Sequence, residues 1–355
     1  MISKRMISKR MISKRMIGKR IALRILLLSI SVALVACDRD NHASPVKAQT
    51  QPAAPAAASS VPKLSLPPDN SPPPTIDSAR AMQYVKEMVA FGPRPIGSAS
   101  HKQVEGFITS HLKGDVVEAD SFTADTPEGK FPVRNIVAKF PGTRDGIIVI
   151  ASHYDTNYPL RNTSYIGAND GASSSALLLE IANQLRGRKR EGYSVWLVWD
   201  DAEEAMKPES ELPFEKDSLY GIRHLAEKWQ DDGTLKKLKA FLLADMIGDA
   251  DLNIDRDQNS TPWLEELVYQ AASRLGYQSH FFARDNQVTD DHIPFMQRGV
   301  PCADLIDFDY GYNNVFWHTP QDTVDKLSPK SLEIVGSTIL ETIRLLDKME
   351  QVPPR

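Results

Sequence analysis

The sequence predicts a single α/β domain whose central β-sheet is mostly parallel and is flanked by helices. Short apolar runs alternate with segments whose apolar residues recur at helical spacing, as expected for strands joined by crossover helices. The runs 146–152 and 194–199 are apolar on both faces, which is typical of strands inside a parallel sheet. Acids or histidines follow several runs, and such sheets bind ligands beyond the carboxyl ends of their strands.

The first predicted elements are helical. Residues 78–88 alternate polar and apolar side chains at helical spacing, and the Pro- and Gly-rich segment 91–97 ends that pattern. Ser98 or Ser100 then caps a second helix that runs to about Leu112. Apolar runs predict the strands, and periodic segments between them predict the helices. The predicted order continues with strands 117–123, 133–140 and 146–152, helix 173–185, strand 194–199, helix 217–229, strand 238–244, helix 261–275, strand 299–306 and helix 328–349.

The N-terminal segment 1–37 has the features of a bacterial lipoprotein signal peptide. Met-Ile-Ser-Lys-Arg occurs three times and then once as a variant, so the segment holds nine basic residues and no acid. The apolar stretch after it is too short for a stable membrane span, and it ends in a Leu-Val-Ala-Cys sequence that resembles a lipobox. We therefore expect Cys37 to be lipidated and the domain to lie at the cell envelope, anchored to a membrane outside the cytoplasm. An uncleaved anchor is the alternative.

Residues 38–75 are rich in Pro, Ala and Ser and are predicted to be a disordered tether. The folded domain is expected over 76–351. If Cys37 carries lipid, Cys302 stands alone and no disulfide forms within the domain. The formal charge is -4, and removing the basic signal segment leaves about -13; this acidity argues against nucleic-acid binding.

Five residues of the types that ligate metals recur down the chain, each in a short motif. They are His153, Asp170, Glu204, Asp245 and His318. Neutral imidazole and carboxylate ligands are typical of a zinc site, and an unligated carboxylate beside the metal can move protons. Glu203, directly before Glu204, is the candidate for that carboxylate.

Each motif also has an ordinary structural interpretation. His153 and Asp155 can form a solvated turn, although Asp155 can instead orient the imidazole. Asp170, between glycines, can be a helix N-cap. The four acids within 200–204 can form an exposed turn, but buried together they require a cation or a retained proton.

The later motifs leave similar alternatives open. Asp245 follows an apolar strand and can cap a turn. Asp290 or Asp291 can cap a helix that begins at His292. Trp317, next to His318, can be a core residue or the flat apolar wall of a substrate pocket.

Together these motifs resemble the zinc-dependent aminopeptidase superfamily and, within it, the animal-type glutaminyl-peptide cyclotransferases (glutaminyl cyclases). The resemblance covers about residues 80–348. The entry segment 91–98 is similar to both groups, whereas 217–226, 290–295 and the Trp-His-Thr at 317–319 are similar to the cyclases in particular.

The resemblance implies a zinc aminopeptidase-like (phosphorylase/hydrolase-like) fold and one zinc ion per chain, bound by Asp170, Glu204 and His318. It further implies that Glu203 transfers protons, that Asp245 and Asp290 are hydrogen-bonding acids of the active site, and that Trp317 binds substrate. By this resemblance, the catalytic residues are Glu203, Asp290 and Asp245, and Trp317 is the substrate-binding residue. His153 and Asp245 correspond to residues that bind a second metal in the aminopeptidases.

Three departures bear on the substrate pocket. The turn at 169–172 is closer to the aminopeptidase version, and the disulfide of the animal enzymes is absent. Segment 205–216 lacks the tryptophan that animal cyclases carry after their glutamate pair, so one wall of the pocket must be built differently.

The sequence therefore predicts cyclisation of N-terminal glutamine in peptides or proteins to pyroglutamate, with release of ammonia. Hydrolysis of N-terminal residues by a two-zinc aminopeptidase is the alternative enzyme. A lipid-anchored binding protein without activity is the third hypothesis. The sequence leaves the oligomeric state and natural substrates open.

Overall fold

A computed structural model describes residues 71–355 of the chain, which belong to one compact unit. The signal segment 1–37 and nearly all of the proposed tether lie outside the described residues, so the predictions made for them stay predictions. Between 71 and 355, no helix combines the length and apolar character that a membrane crossing requires.

Two helices open the described part, as the sequence predicts. Helix α1 spans Ser78–Val89 and helix α2 spans Ala99–His111. The Ser98 hydroxyl caps α2 by accepting from the backbone N–H of His101 at 3.1 Å, which decides between the two serines proposed as its cap.

The remaining strands and helices are β1 (Val116–Thr126), β2 (Gly129–Phe140), β3 (Gly142–His153), α3 (Ala172–Leu185), β4 (Arg190–Asp200), α4 (Tyr220–Asp231), β5 (Leu238–Asp245), β6 (Ile254–Asp257), α5 (Pro262–Leu275), β7 (Phe281–Asn286), α6 (Ile293–Met296), β8 (Cys302–Ile306) and α7 (Pro329–Lys348). They lie close to their predicted ranges, except that β6, β7 and α6 are not among the predicted elements.

The main sheet has six strands in the order β1-β2-β4-β3-β5-β8. Strands β4, β3, β5 and β8 run parallel, and β1 and β2 add an antiparallel hairpin at the β4 edge. Three of the five pairings are therefore parallel, which confirms the predicted sheet class. The parallel strands point their carboxyl ends to one edge, where the site lies.

The two faces of the sheet pack against different helices. In β3, Ile148 and Ile150 pack with residues of α1, α2, α3, α5 and α7, whereas Val149 and Ala151 pack with residues of α4 and α6. Successive residues of a strand point to opposite faces, so both faces of β3 are buried. This explains why the run 146–152 is apolar throughout.

A second, two-stranded parallel sheet formed by β6 and β7 is absent from the sequence prediction. Its strands are Ile-Asp-Arg-Asp and Phe-Phe-Ala-Arg-Asp-Asn, short and polar. Neither has the apolar alternation by which strands are recognised. The loop after β7, residues 287–290, reaches the functional cavity.

Candidate active site

The functional side chains lie at the carboxyl edge of the parallel strands. His153 is the last residue of β3 and Asp245 the last of β5, while Glu203 and Glu204 follow the end of β4. Asp170 and His318 come from loops, yet the structure brings both to the same place. The site thus assembles residues that are up to 165 positions apart in the chain, between His153 and His318.

Asp170, Glu204 and His318 form a tight three-residue group. His318 Nε2 lies 3.3 Å from Asp170 Oδ2 and 3.2 Å from Glu204 Oε2. Ligand atoms that surround one zinc ion tetrahedrally at 2.0–2.1 Å are roughly 3.3 Å apart. Both distances from His318 therefore match those between neighbouring ligands of a single small cation, and one ligand atom of each of the three residues lies within 4.8 Å of the others.

Hydrogen bonds hold the two carboxylates of this group in place. The Tyr165 hydroxyl donates to Asp170 Oδ2 at 2.6 Å, and the Asn157 amide donates to Glu204 Oε2 at 2.9 Å. Such supporting partners fix the orientation of metal-ligating carboxylates. The second oxygen of Glu204, Oε1, is buried and has no hydrogen-bond partner among the described residues.

The turn that carries Asp170 is fixed by a buried arginine. Arg94 is fully buried and donates to the backbone carbonyls of Tyr154 at 2.8 Å, Gly167 at 2.8 Å and Asp170 at 3.1 Å. Asp322 accepts from the backbone N–H of Asp170 on the same turn at 3.2 Å. Arg94 thus connects the turn to the end of β3 through backbone groups.

Asp170 is not the N-cap of α3. Gly171 takes that position at φ 82°, and no side chain caps the helix. The Asp170 carboxylate is instead directed to His153 and His318, whose proximity holds its pKa below the ordinary value against the effect of burial. The capping alternative for Asp170 is therefore wrong.

His153 and Asp245 form a second group that shares Asp170. His153 Nε2 lies 3.2 Å from Asp170 Oδ1 and 3.2 Å from Asp245 Oδ1. The other ring nitrogen, Nδ1, lies 3.4 Å from Asp155 Oδ1, without a hydrogen bond between the two atoms. Asp155 accepts from the backbone N–H groups of Glu203 and Glu204 at 3.2 and 3.3 Å, so it supports this glutamate pair.

Glu203 lies beside the first group but is directed elsewhere. Its carboxylate comes within 4.0 Å of His153 Nδ1 and clusters with Asp290 and Asp291. Burial raises the pKa of Glu203 well above its ordinary value, and the nearby carboxylates of Glu204 and Asp290 add to this effect. A buried carboxyl of this kind can hold a proton near neutral pH, which suits proton transfer.

Asp290 and Asp291 do not cap the short helix α6. Its N-cap is His292, without a side-chain capping bond, and Asp290 Oδ1 accepts from the Asp291 backbone N–H at 2.6 Å. Burial raises the pKa of both acids well above the ordinary value. Both extend the buried acidic cluster around Glu203, so the capping alternative is wrong here too.

Aromatic side chains line the same cavity as these polar groups, and the cavity has a volume of about 260 Å³. Trp317 lines the cavity and stacks on His318, with ring centroids 4.1 Å apart and planes 19° apart. Phe308 meets Trp317 edge-on at 4.9 Å. Phe214 also lines the cavity, so segment 205–216, which has no tryptophan, contributes a phenylalanine.

Several residues of the site are not among the predicted ones. Tyr165 and Asn157 have no motif that marks them, and Phe308, which follows β8 between Asp307 and Asp309, belongs to no motif that the sequence analysis singled out. Arg94 lies in the Pro- and Gly-rich segment 91–97. Its position as a charged residue between two prolines is the sequence signal by which Arg94 could have been identified.

Comparison with known proteins agrees with this geometry. The profile of peptidase family M28 matches residues 135–343, more than half of the chain. The chain belongs to peptidase family M28. The match runs from β2 into α7 and includes every residue proposed as a metal ligand, which confirms the resemblance to the zinc aminopeptidase superfamily.

Several proteins that are similar to this chain are glutaminyl cyclases. The chain is 31% identical over 258 residues to a glutaminyl-peptide cyclotransferase of Drosophila melanogaster, covering 65% of this chain and 70% of that protein. The crystal structure of an Acidobacteriales bacterium glutaminyl cyclase is similar, with 48% identity and a TM-score of 0.75, over 80% of this chain and 99% of that chain. A Zn-dependent exopeptidase from Parabacteroides distasonis is also similar, with 27% identity and a TM-score of 0.69, over 77% and 99% of the two chains.

The described residues fit the metal that this M28 fold implies. Asp170, Glu204 and His318 offer the oxygen and nitrogen donors that zinc accepts, at the spacing of neighbouring ligands. Burial lowers the pKa of His318, but the carboxylates of Glu204 and Asp170 outweigh this effect and raise the pKa to about 10. The site therefore favours a positive charge between these three side chains, as a bound cation would supply.

Proposed function

We propose that this protein is a zinc-dependent glutaminyl-peptide cyclotransferase, which converts the N-terminal glutamine of peptides or proteins to pyroglutamate and releases ammonia. The relatives that carry this name support the proposal. The observation that carries it is the meeting of Asp170, Glu204 and His318 at 3.2–3.3 Å beside a buried, unligated Glu203.

The reaction rearranges bonds within one residue. The α-amino nitrogen attacks the side-chain amide carbon, a ring C–N bond forms, and the bond from that carbon to the amide nitrogen breaks. One proton leaves the α-amine and one reaches the departing nitrogen, so that ammonia is released. No water is consumed, which suits a pocket lined by Trp317, Phe308 and Phe214.

Glu203 is placed to carry that proton. As a carboxylate it accepts the proton of the attacking amine, and as a carboxylic acid it donates it to the leaving nitrogen. Asp290 lies in the same cluster of carboxyl groups, and Asp245, at the end of β5, lines the same cavity. We assign both acids to hydrogen bonding that orients the amine and amide nitrogens.

The cavity also orients the substrate. Trp317 offers a flat face next to His318, against which the methylene groups of the glutamine side chain can pack. Holding the chain bent brings amine and carbonyl together, and positioning of this kind lowers the barrier of an intramolecular reaction.

We assign one zinc ion to Asp170, Glu204 and His318. When bound, it supplies Lewis-acid polarisation of the substrate carbonyl and stabilises the negative charge that develops on its oxygen. His153 then orients Asp170 and Asp245 through its Nε2 contacts instead of binding a metal itself.

The test is to incubate the purified protein, supplied with zinc, with a peptide that begins with glutamine. The proposal expects a product that has lost one ammonia and is otherwise intact, seen by mass spectrometry. A product shortened by its first residue would contradict the proposal.

A di-zinc aminopeptidase is the second candidate, because one observation favours it. His153, Asp170 and Asp245 form a second set of donor atoms within reach of one ion, and a Zn-dependent exopeptidase has a similar structure. In that case Glu203 would activate a water. Two zinc ions per chain in the purified protein would favour this candidate, whereas one favours the cyclase.

We further propose that Cys37 carries a lipid that anchors the domain to a membrane outside the cytoplasm. The basic segment 1–37 and its lipobox-like end support this proposal. Labelling of the wild-type protein, but not of Cys37→Ser, with a fatty-acid analogue in a bacterial host would agree with it. Equal labelling of both would contradict it.

A further inference from the structure

The mouth of the active-site cavity carries negative charge that the proposed chemistry does not use. Glu209 and Glu215 line the cavity together with Phe214, and both glutamates are exposed to solvent. In the described part of the chain, neither carboxylate has an ion-pair or hydrogen-bond partner. Glu203 and Glu204 line the same cavity but, unlike Glu209 and Glu215, are buried.

No lysine or arginine is among the residues that line this cavity. Lys216, directly after Glu215, is exposed and is not among the residues that line the cavity, and the next cations in sequence are engaged elsewhere. Lys207 pairs with Glu128, and Arg223 donates to the backbone carbonyl of Glu215, not to its carboxylate. The opposite rim, formed by residues 286–289, is uncharged (Asn, Gln, Val and Thr).

A peptide bound with its first residue among the catalytic groups must leave the cavity past this rim. The residues after the N-terminal glutamine therefore come close to Glu209 and Glu215. A basic side chain there gains a favourable interaction with both glutamates, and an acidic one meets two like charges. Residues 286–289 carry no charge that would reduce this difference between basic and acidic peptides.

We infer that Glu209 and Glu215 select, among peptides with N-terminal glutamine, those with a lysine or arginine at the second or third position. The inference rests on the proposed function, because it names the substrate class of that same site. Exposed ion pairs are individually weak and are screened by salt. The preference is accordingly expected to be modest and to depend on ionic strength.

The test compares kcat/KM for three peptides that begin Gln-Lys, Gln-Ala or Gln-Glu and are otherwise identical. At low ionic strength the wild-type protein is expected to prefer Gln-Lys over Gln-Glu by about tenfold. In the Glu209→Gln/Glu215→Gln double variant this ratio is expected to fall to about one or two, and added salt should lower the wild-type ratio in the same way.

Glu211→Gln is the matched control. Glu211 is exposed and belongs to the same segment, but it does not line the cavity, so this variant is expected to keep the wild-type ratio. A ratio that the double variant leaves unchanged would overturn the inference while the proposed function stands. If no glutamine peptide is cyclised at all, the proposed function fails and the inference with it.

Discussion

Two adjacent glutamates have different surroundings in the active site. Glu204 receives a hydrogen bond from Asn157 and lies 3.2 Å from His318, whereas Glu203 faces His153 and the acids at 290–291. The residue directly before this pair, Ala202, has φ 58°, a left-handed conformation that turns the chain. Adjacent side chains can therefore serve metal binding and proton transfer separately.

This division of roles predicts different outcomes for the variants Glu203→Gln and Glu204→Gln. Glu203→Gln is expected to lower kcat by about 10²–10⁴-fold, the usual contribution of a general acid/base, and to retain its zinc. The amide keeps the size of the side chain but cannot carry the proton. Kinetics with a glutamine peptide and metal analysis of the purified variant check both parts.

Glu204→Gln is the control. It removes a charged ligand, so zinc is expected to be lost together with activity. If Glu203→Gln lost the metal as well, or kept wild-type turnover, the assignment of the two residues would be wrong.

At the scale of secondary-structure elements, the turn between β3 and α3 is packed closely against the end of β3. A Cβ atom on Gly171 would lie 2.9 Å from the Asp155 carbonyl oxygen and 2.9 Å from His153 Cε1. The residue also has φ 82°, which disfavours other side chains. Gly171 therefore allows the Asp170 turn to approach the end of β3.

We expect Gly171→Ala to weaken zinc binding as well as stability. The added methyl group must displace His153 or the Asp155 backbone, both of which lie next to Asp170. The expected loss in the free energy of unfolding is about 2–4 kcal/mol, from backbone strain and crowding together. Thermal unfolding with and without zinc measures both effects.

Gly187→Ala separates strain from crowding. Gly187 has φ 70°, and no atom lies within 4 Å of the position that a Cβ atom would take there, so only the strain of about 1 kcal/mol is expected. Zinc affinity should stay at the wild-type value. Equal effects of the two substitutions would contradict the proposed role of close packing at Gly171.

The order and type of the main elements follow from the sequence because their apolar patterns are strong. The two-stranded sheet of β6 and β7 does not, since its strands are short and its side chains mostly polar. The capping alternatives for Asp170 and for Asp290 show a further limit. The acid before a helix is visible in the sequence, whereas the direction of its side chain depends on tertiary contacts.

At the scale of the whole molecule, buried acids that do not line the cavity also make stability depend on pH. Glu265, on α5, is buried with one carboxylate oxygen unpaired among the described residues. Burial raises its pKa to about 8, although Arg256 lies 3.4 Å away. The folded state therefore holds this proton more tightly than the unfolded state, whose glutamate titrates near its ordinary value.

This raised pKa predicts the sign of the pH dependence. The stabilising contribution is fully present below the ordinary pKa of 4.5 and is lost as pH rises toward 8. Over that window the free energy of unfolding falls by at most about 1.4 kcal/mol per pH unit through this group. Glu265→Gln is expected to remove that part of the slope, as measured by denaturant unfolding between pH 5 and pH 8 (roughly the window set by the shift).

Glu227→Gln is the control for this experiment, because Glu227 is exposed. Its unfolding curves should follow those of the wild-type protein at each pH. A Glu265→Gln variant with an unchanged slope would show that Glu265 ionises in the folded protein much as it does in the unfolded chain.

The sequence predicts the whole site less completely than it predicts the sheet. His153, Glu203, Glu204 and Asp245 follow strands of one parallel sheet, so their meeting can be foreseen from topology. Phe214 cannot be foreseen, because its segment has no regular pattern and reaches the cavity through the fold of a loop. The missing tryptophan of segment 205–216 therefore concerns the wall of the cavity, to which Phe214 contributes.

The central claim is that Asp170, Glu204 and His318 hold one zinc ion beside Glu203. Anomalous diffraction from zinc-loaded crystals, recorded at the zinc edge, tests it most directly. We predict a single peak at about 2.0–2.2 Å from one atom of each of the three side chains. A peak bound by His153 and Asp245 instead, or two peaks of equal height that share Asp170, would contradict the account.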